Sequence, residues 1–388
     1  MDNNSKPSLP SDRRGPGTNT RLQEFGDITT VTASPLPNSE KPQKWPRGWK
    51  WVYIAIVGYC ECLTFLVSMM LAPSVPQVLA EFRPLGGSKS LGSFSVTVYI
   101  LGFCVGPLLL GPLTDLYGRI VIYRLSIVGF ILFTVSCALS PSLEALITFR
   151  FFAGCFGGAP MAIGGAVIAD MYEPGKRDWL MVSYSAGTMM GPTIGPVLGG
   201  VITGHYGWRW LFWVAAILSG VAAGLLLILP ETHLPTLERR QTRRASRPNS
   251  DENPTERAST RWNIKLLIRT ISCAVSLPTR IAGHSTVLWM LVLIAVFNGL
   301  VNMVLSSLGS IYQRKYHFRP ATAGLSYLGI GVGGLAALAA TKRLKRYLAG
   351  MFIAKGVAES SEASLLFLAA VTPTTSIGLL CYRPNSSS

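Results

Sequence analysis

The chain has 388 residues, of which 49% are hydrophobic and 14% charged, with a mean hydropathy of +0.37 and a formal net charge of +16. Such apolarity is wrong for an ordinary soluble domain and right for several bilayer-crossing segments. The positive balance does not indicate nucleic acid. Lys and Arg gather in the N-terminal tail, a long middle loop and alternate short loops, and no zinc-finger, helix-turn-helix or RNA-binding signature accompanies them.

Residues 1–48 are polar and rich in Pro, Ser and Asn, with no apolar core that would make a signal peptide; they are expected to be a disordered cytoplasmic tail. Apolar segments then predict spans over 51–74, 92–112, 120–140, 144–170, 181–203 and 211–230, each long enough for a core that needs about 20 residues. Residues 231–285 open with PETHLPTLERRQTRR and turn Ser/Thr-rich, which predicts a cytoplasmic linker with one short amphipathic piece around Trp262 to Ile271. Further spans are expected over 287–308 and 323–341, with a weak ninth over 364–382. The domain division is therefore 1–48, 49–230, 231–285 and 286–388. The excess of Lys and Arg after even-numbered spans places the N-terminus inside.

The seven cysteines mostly lie within apolar segments (Cys60, Cys62, Cys104, Cys137, Cys155), with Cys273 and Cys381 near segment ends, so no disulfide framework is expected. His205, His233, His284 and His317 are too scattered for a metal site. No Ser/His/Asp set, metal cluster or phosphate loop stands at usable spacing, so neither an enzyme nor a cofactor is expected. Gly329, Gly331 and Gly334 match G-x-G-x-x-G, but no strand precedes them and they lie in an apolar span. Helix packing is the better reading there.

Three motifs carry a family resemblance. Gly111, Asp115, Gly118 and Arg119 form G-x-x-x-D-x-x-G-R between the second and third spans. This resembles the corresponding loop of major facilitator superfamily transporters, with Gly allowing close helix approach and charges placed where the backbone leaves the lipid. In the fifth span, GTMMGPTIGPVLGG repeats Gly187, Gly191, Gly195 and Gly199 every fourth residue, a slowly drifting helical stripe, with Gly200 beside it and Pro192 and Pro196 adding bends. It resembles the antiporter motif of the drug:proton antiporter branch, in which that helix packs against the opposite half. ITFRFFAGCFGGAP resembles the fourth-span motif: Arg150 and Gly154 match it, while Ala153 stands where many members have Gln.

GWRWLFWV (207–214), PETHLP (230–235) and YHFRPATAGLSYLGIGVG (316–333) extend the resemblance to fungal drug:proton antiporter relatives, including polyamine and multidrug exporters, over about 50–350. It thins after Gly350. There KGVAESSEASLLFLAAV keeps Glu359 and Glu362 but lacks the proline and arginine of the relatives' Pro-Glu-x-Arg loop, an expected frameshift, missplicing or truncation. The resemblance implies an all-α membrane protein of the major facilitator fold. A complete six-helix first half and about three helices of the second are expected here.

The implied function is export of drug-like compounds, polyamines or secondary metabolites by proton antiport through alternating access, in the plasma membrane or else the vacuolar one. The alternatives are a sugar or metabolite facilitator, or a truncated paralogue that does not transport. The expected partners are a small molecule, the proton and lipid, with no nucleic acid. Glu61 and Arg150 are charges inside spans, at depths differing by about 6 Å, and are expected to meet in a central cavity and couple to protons. Asp115, Arg119 and Asp170 are expected to form a charge cluster at the cytoplasmic face that latches the inward-closed state; the Arg119 to Asp170 half can exist, while the helix that the family's aspartate caps is not expected in this sequence. Asn298 and Asn302, four apart on one helix face, are expected either to line the substrate path or to bond a neighbouring helix.

Overall fold

A computed structural model describes residues 42–82, 89–245, 285–316 and most of 318–336. The described residues are helical: α1 (Arg47–Met70), α2 (Val75–Phe82), α3 (Lys89–Tyr117), α4 (Arg119–Ala138), α5 (Leu143–Gly157), α6 (Ala159–Met171), α7 (Pro174–Tyr206), α8 (Arg209–Ile228), α9 (Leu234–Ala245), α10 (Ser285–Lys315) and α11 (Pro320–Leu325). In lipid no water is available to backbone groups, and a helix satisfies them internally. Among the described residues five helical stretches, Arg47–Phe82, Phe94–Tyr117, Arg119–Ala138, Leu143–Met171 and Arg209–Ile228, are long and apolar enough to cross a membrane. The chain is an all-α membrane protein. At 33 residues α7 is also long enough, but its glycines, prolines and hydroxyls dilute its apolarity.

The helices run past the expected span ends. α3 continues through Asp115 to Tyr117, so the turn before α4 is a single residue, Gly118, at φ 97°. The fourth span is two helices, α5 and α6, separated at Gly158 and restarted with Pro160 in the first turn of α6. α9 lies inside the expected linker, earlier than the amphipathic piece expected at Trp262 to Ile271. That piece and the ninth span lie outside the described residues.

Lipid tails are as apolar as Leu, so contact between helices here rests on close packing rather than on excluding water. Gly102 and Gly106 of α3 meet the α5 backbone at Phe151 and Cys155, and Gly154 of α5 meets the carbonyl of Tyr99; a Cβ at any of the three would collide with main chain. Gly111, by contrast, has open space around it. The close approach expected at the motif glycine is made one to three turns earlier. The same device joins α7 to α1, where Cβ atoms at Gly191, Gly195 and Gly199 would strike Cys62, Leu66 and Met70 backbone atoms.

This corrects the expected use of the glycine stripe. It packs against α1 within the same bundle. The opposite contact comes from another face of α7, Met189, Thr193 and Pro196, and there the partner supplies the glycines: Gly324 against Pro196, Gly331 against Thr193 and Gly334 against Met189. The G-x-G-x-x-G run is thus a packing surface through Gly331 and Gly334. Tyr327 fastens α10 to it, donating to the Leu305 carbonyl at 2.6 Å and accepting from the Gly309 amide at 2.9 Å.

At the opposite end of the bundle from Gly118, Glu81 accepts from Trp208 Nε1 at 2.6 Å and pairs with Arg209, whose second nitrogen reaches the Ser140 carbonyl at 3.2 Å. The GWRW stretch thereby ties the ends of α2, α4 and α8. Because the α3–α5 contact is backbone on backbone, no rotamer change can relieve it. Gly154→Leu is expected to destabilise the fold by about 1–3 kcal/mol or more. Gly220→Ala, facing open space, is expected to be neutral; thermal unfolding of the detergent-purified variants measures both.

Candidate functional site

Glu61 sits in the middle of α1, 1% exposed. The α1–α7 seam brings Thr188 to it: Gly187, the next residue, lies against Gly58 and Cys62, and Thr188 Oγ1 donates to Glu61 Oε1 at 3.3 Å. Among the described residues Glu61 Oε2 has no hydrogen-bond partner. Tyr184, one turn earlier on α7, is buried beside it and spends its hydroxyl on the Pro160 carbonyl at 2.9 Å.

Arg150 is also 1% exposed, which excludes a side chain snorkelling to the headgroups. It does not meet Glu61. Its Nη2 donates to the Ser68 carbonyl at 3.1 Å, and its guanidinium lies over the rings of Tyr99 at 5.1 Å and Phe212 at 5.9 Å. Ser68 is seven residues, about 10 Å, further along α1 than Glu61. The arginine stays at its own depth because carbonyl and ring faces stabilise it there. Among the described residues Arg150 Nε has no partner, and the cation is held by dipoles and quadrupoles rather than by a carboxylate.

At the Gly118 end of the bundle, Arg119 Nε pairs with Asp170 Oδ2 at 2.5 Å, with Nη2 3.4 Å from Oδ1, which links α4 to α6 as the sequence suggests. The centre of this cluster is Glu231, in the PETHLP run. Its Oε1 accepts from the amides of Arg119 at 3.0 Å, Thr232 at 3.1 Å and His233 at 3.1 Å, and its Oε2 from the amide of Ile120 at 3.3 Å. Glu231 therefore caps the N-terminus of α4 from the end of α8, where a carboxylate also meets the positive end of the helix dipole.

Gly118 makes room for this: its φ suits glycine, and a Cβ there would stand 2.5 Å from Glu231 Oε2. Asp115 is 68% exposed and lies 4.0 Å from His233 Nε2. Burial, reinforced by the Arg119 charge, holds the His233 imidazole below its usual pKa. At neutral pH that contact is consequently polar rather than an ion pair.

Along α7, Gly191, Gly195 and Gly199 are the seam, Gly200 is buried beside them, and Pro192 and Pro196 interrupt the helical hydrogen-bond ladder inside the element. On α10, Asn298 is exposed, and Asn302 Nδ2 donates to the Asn298 carbonyl at 2.9 Å. The Asn302 bond thus stays within its own helix rather than reaching a neighbour. Among the described residues no group of three or more His, Cys, Asp or Glu could hold a metal ion.

The Major Facilitator Superfamily model matches residues 57–382. The chain belongs to the Major Facilitator Superfamily. Among curated relatives it is 37% identical over 339 residues to "Efflux pump radE" of Floropilus chiversii, covering 85% of this chain and 62% of that protein. It is 34% identical over 351 residues to "MFS transporter prlG" of a fungal species, covering 88% and 72%. The chain spans about three fifths of the length of the first curated relatives it matches. Its fold is similar to that of the partially occluded, inward-open xylose transporter XylE from E. coli, with TM-score 0.55 and 16% identity over 79% of this chain and 72% of that one. It is also similar to an inward-facing bacterial homologue of the lysosomal transporter Spinster, with TM-score 0.58 and 16% identity over 81% and 64%.

In this superfamily member the sequence singled out Glu61 as a charge inside a span and Arg119 with Asp170 as a charge pair, but not Glu231, Thr188 or Tyr184. Glu231 had a readable signal, since an acidic residue directly follows the proline that ends an apolar span, at the same membrane face as Arg119. Removing its carboxylate strips a cap from α4 and unpairs amides. Glu231→Ala is expected to cost about 1–2 kcal/mol, and Glu231→Gln, which keeps one acceptor, less; unfolding midpoints in detergent give the comparison.

Proposed function

We propose that this superfamily member exports small organic molecules by proton antiport, with the N-terminus cytoplasmic and Glu61 as the proton carrier. The observation that carries the reading is the setting of Glu61. A carboxyl buried in mid-helix, with one hydroxyl donor and, among the described residues, no partner for its second oxygen and no ion pair, is costly to keep charged. Binding a proton removes the charge and releasing it restores it, so occupancy by a proton biases which side of the protein the carboxyl can face.

Export as the direction is supported by the relative named an efflux pump. In this mechanism the α1–α7 seam moves as one piece, and the contact of α7 with Gly324, Gly331 and Gly334 is the surface on which the two halves rock. The Arg119, Asp170 and Glu231 cluster holds the cytoplasmic ends of α4, α6 and α8 together during that motion. In this reading Arg150, which donates to the Ser68 carbonyl and lies over the Tyr99 and Phe212 rings, braces α1, α3, α5 and α8 and carries no proton.

In cells loaded with rhodamine 6G, the chain is expected to accelerate efflux in a manner abolished by collapsing the proton gradient. Glu61→Gln is expected to lower that gradient-dependent rate at least tenfold at equal protein abundance. Efflux of equal rate and equal pH dependence in the variant contradicts the role of Glu61, and efflux no faster than in control cells contradicts export of this class.

A further inference from the structure

His233 joins more of the structure than its contact with Asp115 accounts for. It directly precedes α9 and is buried. Its amide donates to Glu231 Oε1 at 3.1 Å, its carbonyl accepts from the amides of Thr236 and Leu237 at 3.1 Å each to begin α9, and its Nδ1 lies 2.9 Å from Thr236 Oγ1. The first turn of α9 is otherwise seated by small contacts. Thr236 Cγ2 stands 3.2 Å from the place of a Cβ at Gly118, and Leu237 lines a pocket with Trp45 and Ile120. A charge at this junction can therefore tip it.

Among the described residues, the charged groups that face the imidazole come from four places: Arg119 at the start of α4, Asp115 near the end of α3, Asp170 near the end of α6 and Glu231 after α8. Two of the three carboxylates are already engaged. Asp170 is paired with Arg119, and Glu231 accepts from four amides, whereas Asp115 is 68% exposed and lies 4.0 Å from His233 Nε2. In its present seat a protonated imidazole would be buried, close to the Arg119 cation and at the positive end of the α9 dipole. Beside Asp115 it would keep water and gain a carboxylate.

We propose that His233 is an acid-sensitive catch: neutral, it seats the first turn of α9 over Gly118, and protonated, it swings outward to Asp115 and releases that turn. Burial first, and the Arg119 charge second, hold the docked imidazole below its usual pKa, and release restores its ordinary affinity for a proton. Release thus takes up a proton. Docking is full above a pH of about 6.5 and weakens as the pH falls from there toward the lower, docked pKa. On the orientation and antiport proposed above, incoming protons arrive at this face, so the catch would respond to them. The release itself depends on neither.

Hydrogen exchange of the purified full chain, read by mass spectrometry at pH 7.5 and pH 5.5 with exposure times scaled to equal intrinsic rates, tests the catch. The amides of α9 are expected to exchange about fivefold faster at the lower pH, with those of α4 unchanged. His233→Asn, which keeps a partner for Thr236 and never charges, should remove the pH dependence, and His233→Gln should do the same. Asp115→Asn, which removes the receiving carboxylate at an exposed position, should move the onset of release to lower pH. Equal α9 exchange at both pH values in the unchanged protein overturns the proposal. So does acid release that persists in both His233 variants, which assigns it to another group, or an onset that Asp115→Asn leaves in place.

Discussion

The main-chain contact between α1 and α7 is the constraint on which the rest of the site depends. Two helices in lipid gain little by burying Leu against Leu, because the tails offer the same contact. They gain by bringing backbones close, and four glycines at intervals of four residues let α7 lie against Gly58, Cys62, Leu66 and Met70. Once that approach is fixed, the position of Thr188 is fixed too, and it faces Glu61. The polar group most expensive to bury is thus held by the least adaptable contact in the bundle.

The two ends of the bundle are secured by other chemistry. At one, Glu231 satisfies four amides and the Arg119 and Asp170 pair spans α4 to α6. At the other, Glu81 gathers Trp208 and Arg209, and Arg209 reaches Ser140. Polar groups near the membrane surface can form such clusters at modest cost, whereas in mid-bilayer the bundle uses glycine. Glu61 and Arg150 are the exceptions, and Arg150 is stabilised by a carbonyl and two ring faces with no carboxylate partner among the described residues.

Much of this was legible in the sequence. Apolar runs located the bundle helices to within a few residues, and the charged motif identified Arg119 and Asp170 as a pair. Three features were not legible, for physical reasons. The direction in which the glycine stripe faces depends on which neighbour is present, and periodicity alone cannot distinguish α1 from the second half. The meeting of Glu61 with Arg150 was inferred from a depth difference of about 6 Å, yet Arg150 bonds Ser68, about 10 Å further along α1 than Glu61. The capping role of Glu231 joins residues more than a hundred positions apart; its place after the span-ending proline could be read locally, but the amides it caps could not.

The central claim is that α1 and α7 form one fixed unit that holds Glu61 against Thr188. Cysteine cross-linking at position 187 tests it most directly. A Cβ at Gly187 would lie 3.6 Å from the Cβ of the native Cys62, with Gly58 O at 3.0 Å needing only a slight shift. That Cβ separation suits a disulfide, whose Cβ atoms lie about 3.5–4.5 Å apart. In membranes, mild oxidation of Gly187→Cys is expected to link the two thiols in most molecules and to leave the proposed proton-driven efflux near its uncrosslinked rate. Failure to form the bond, or formation that abolishes efflux in a manner reversed by reductant, would contradict the account.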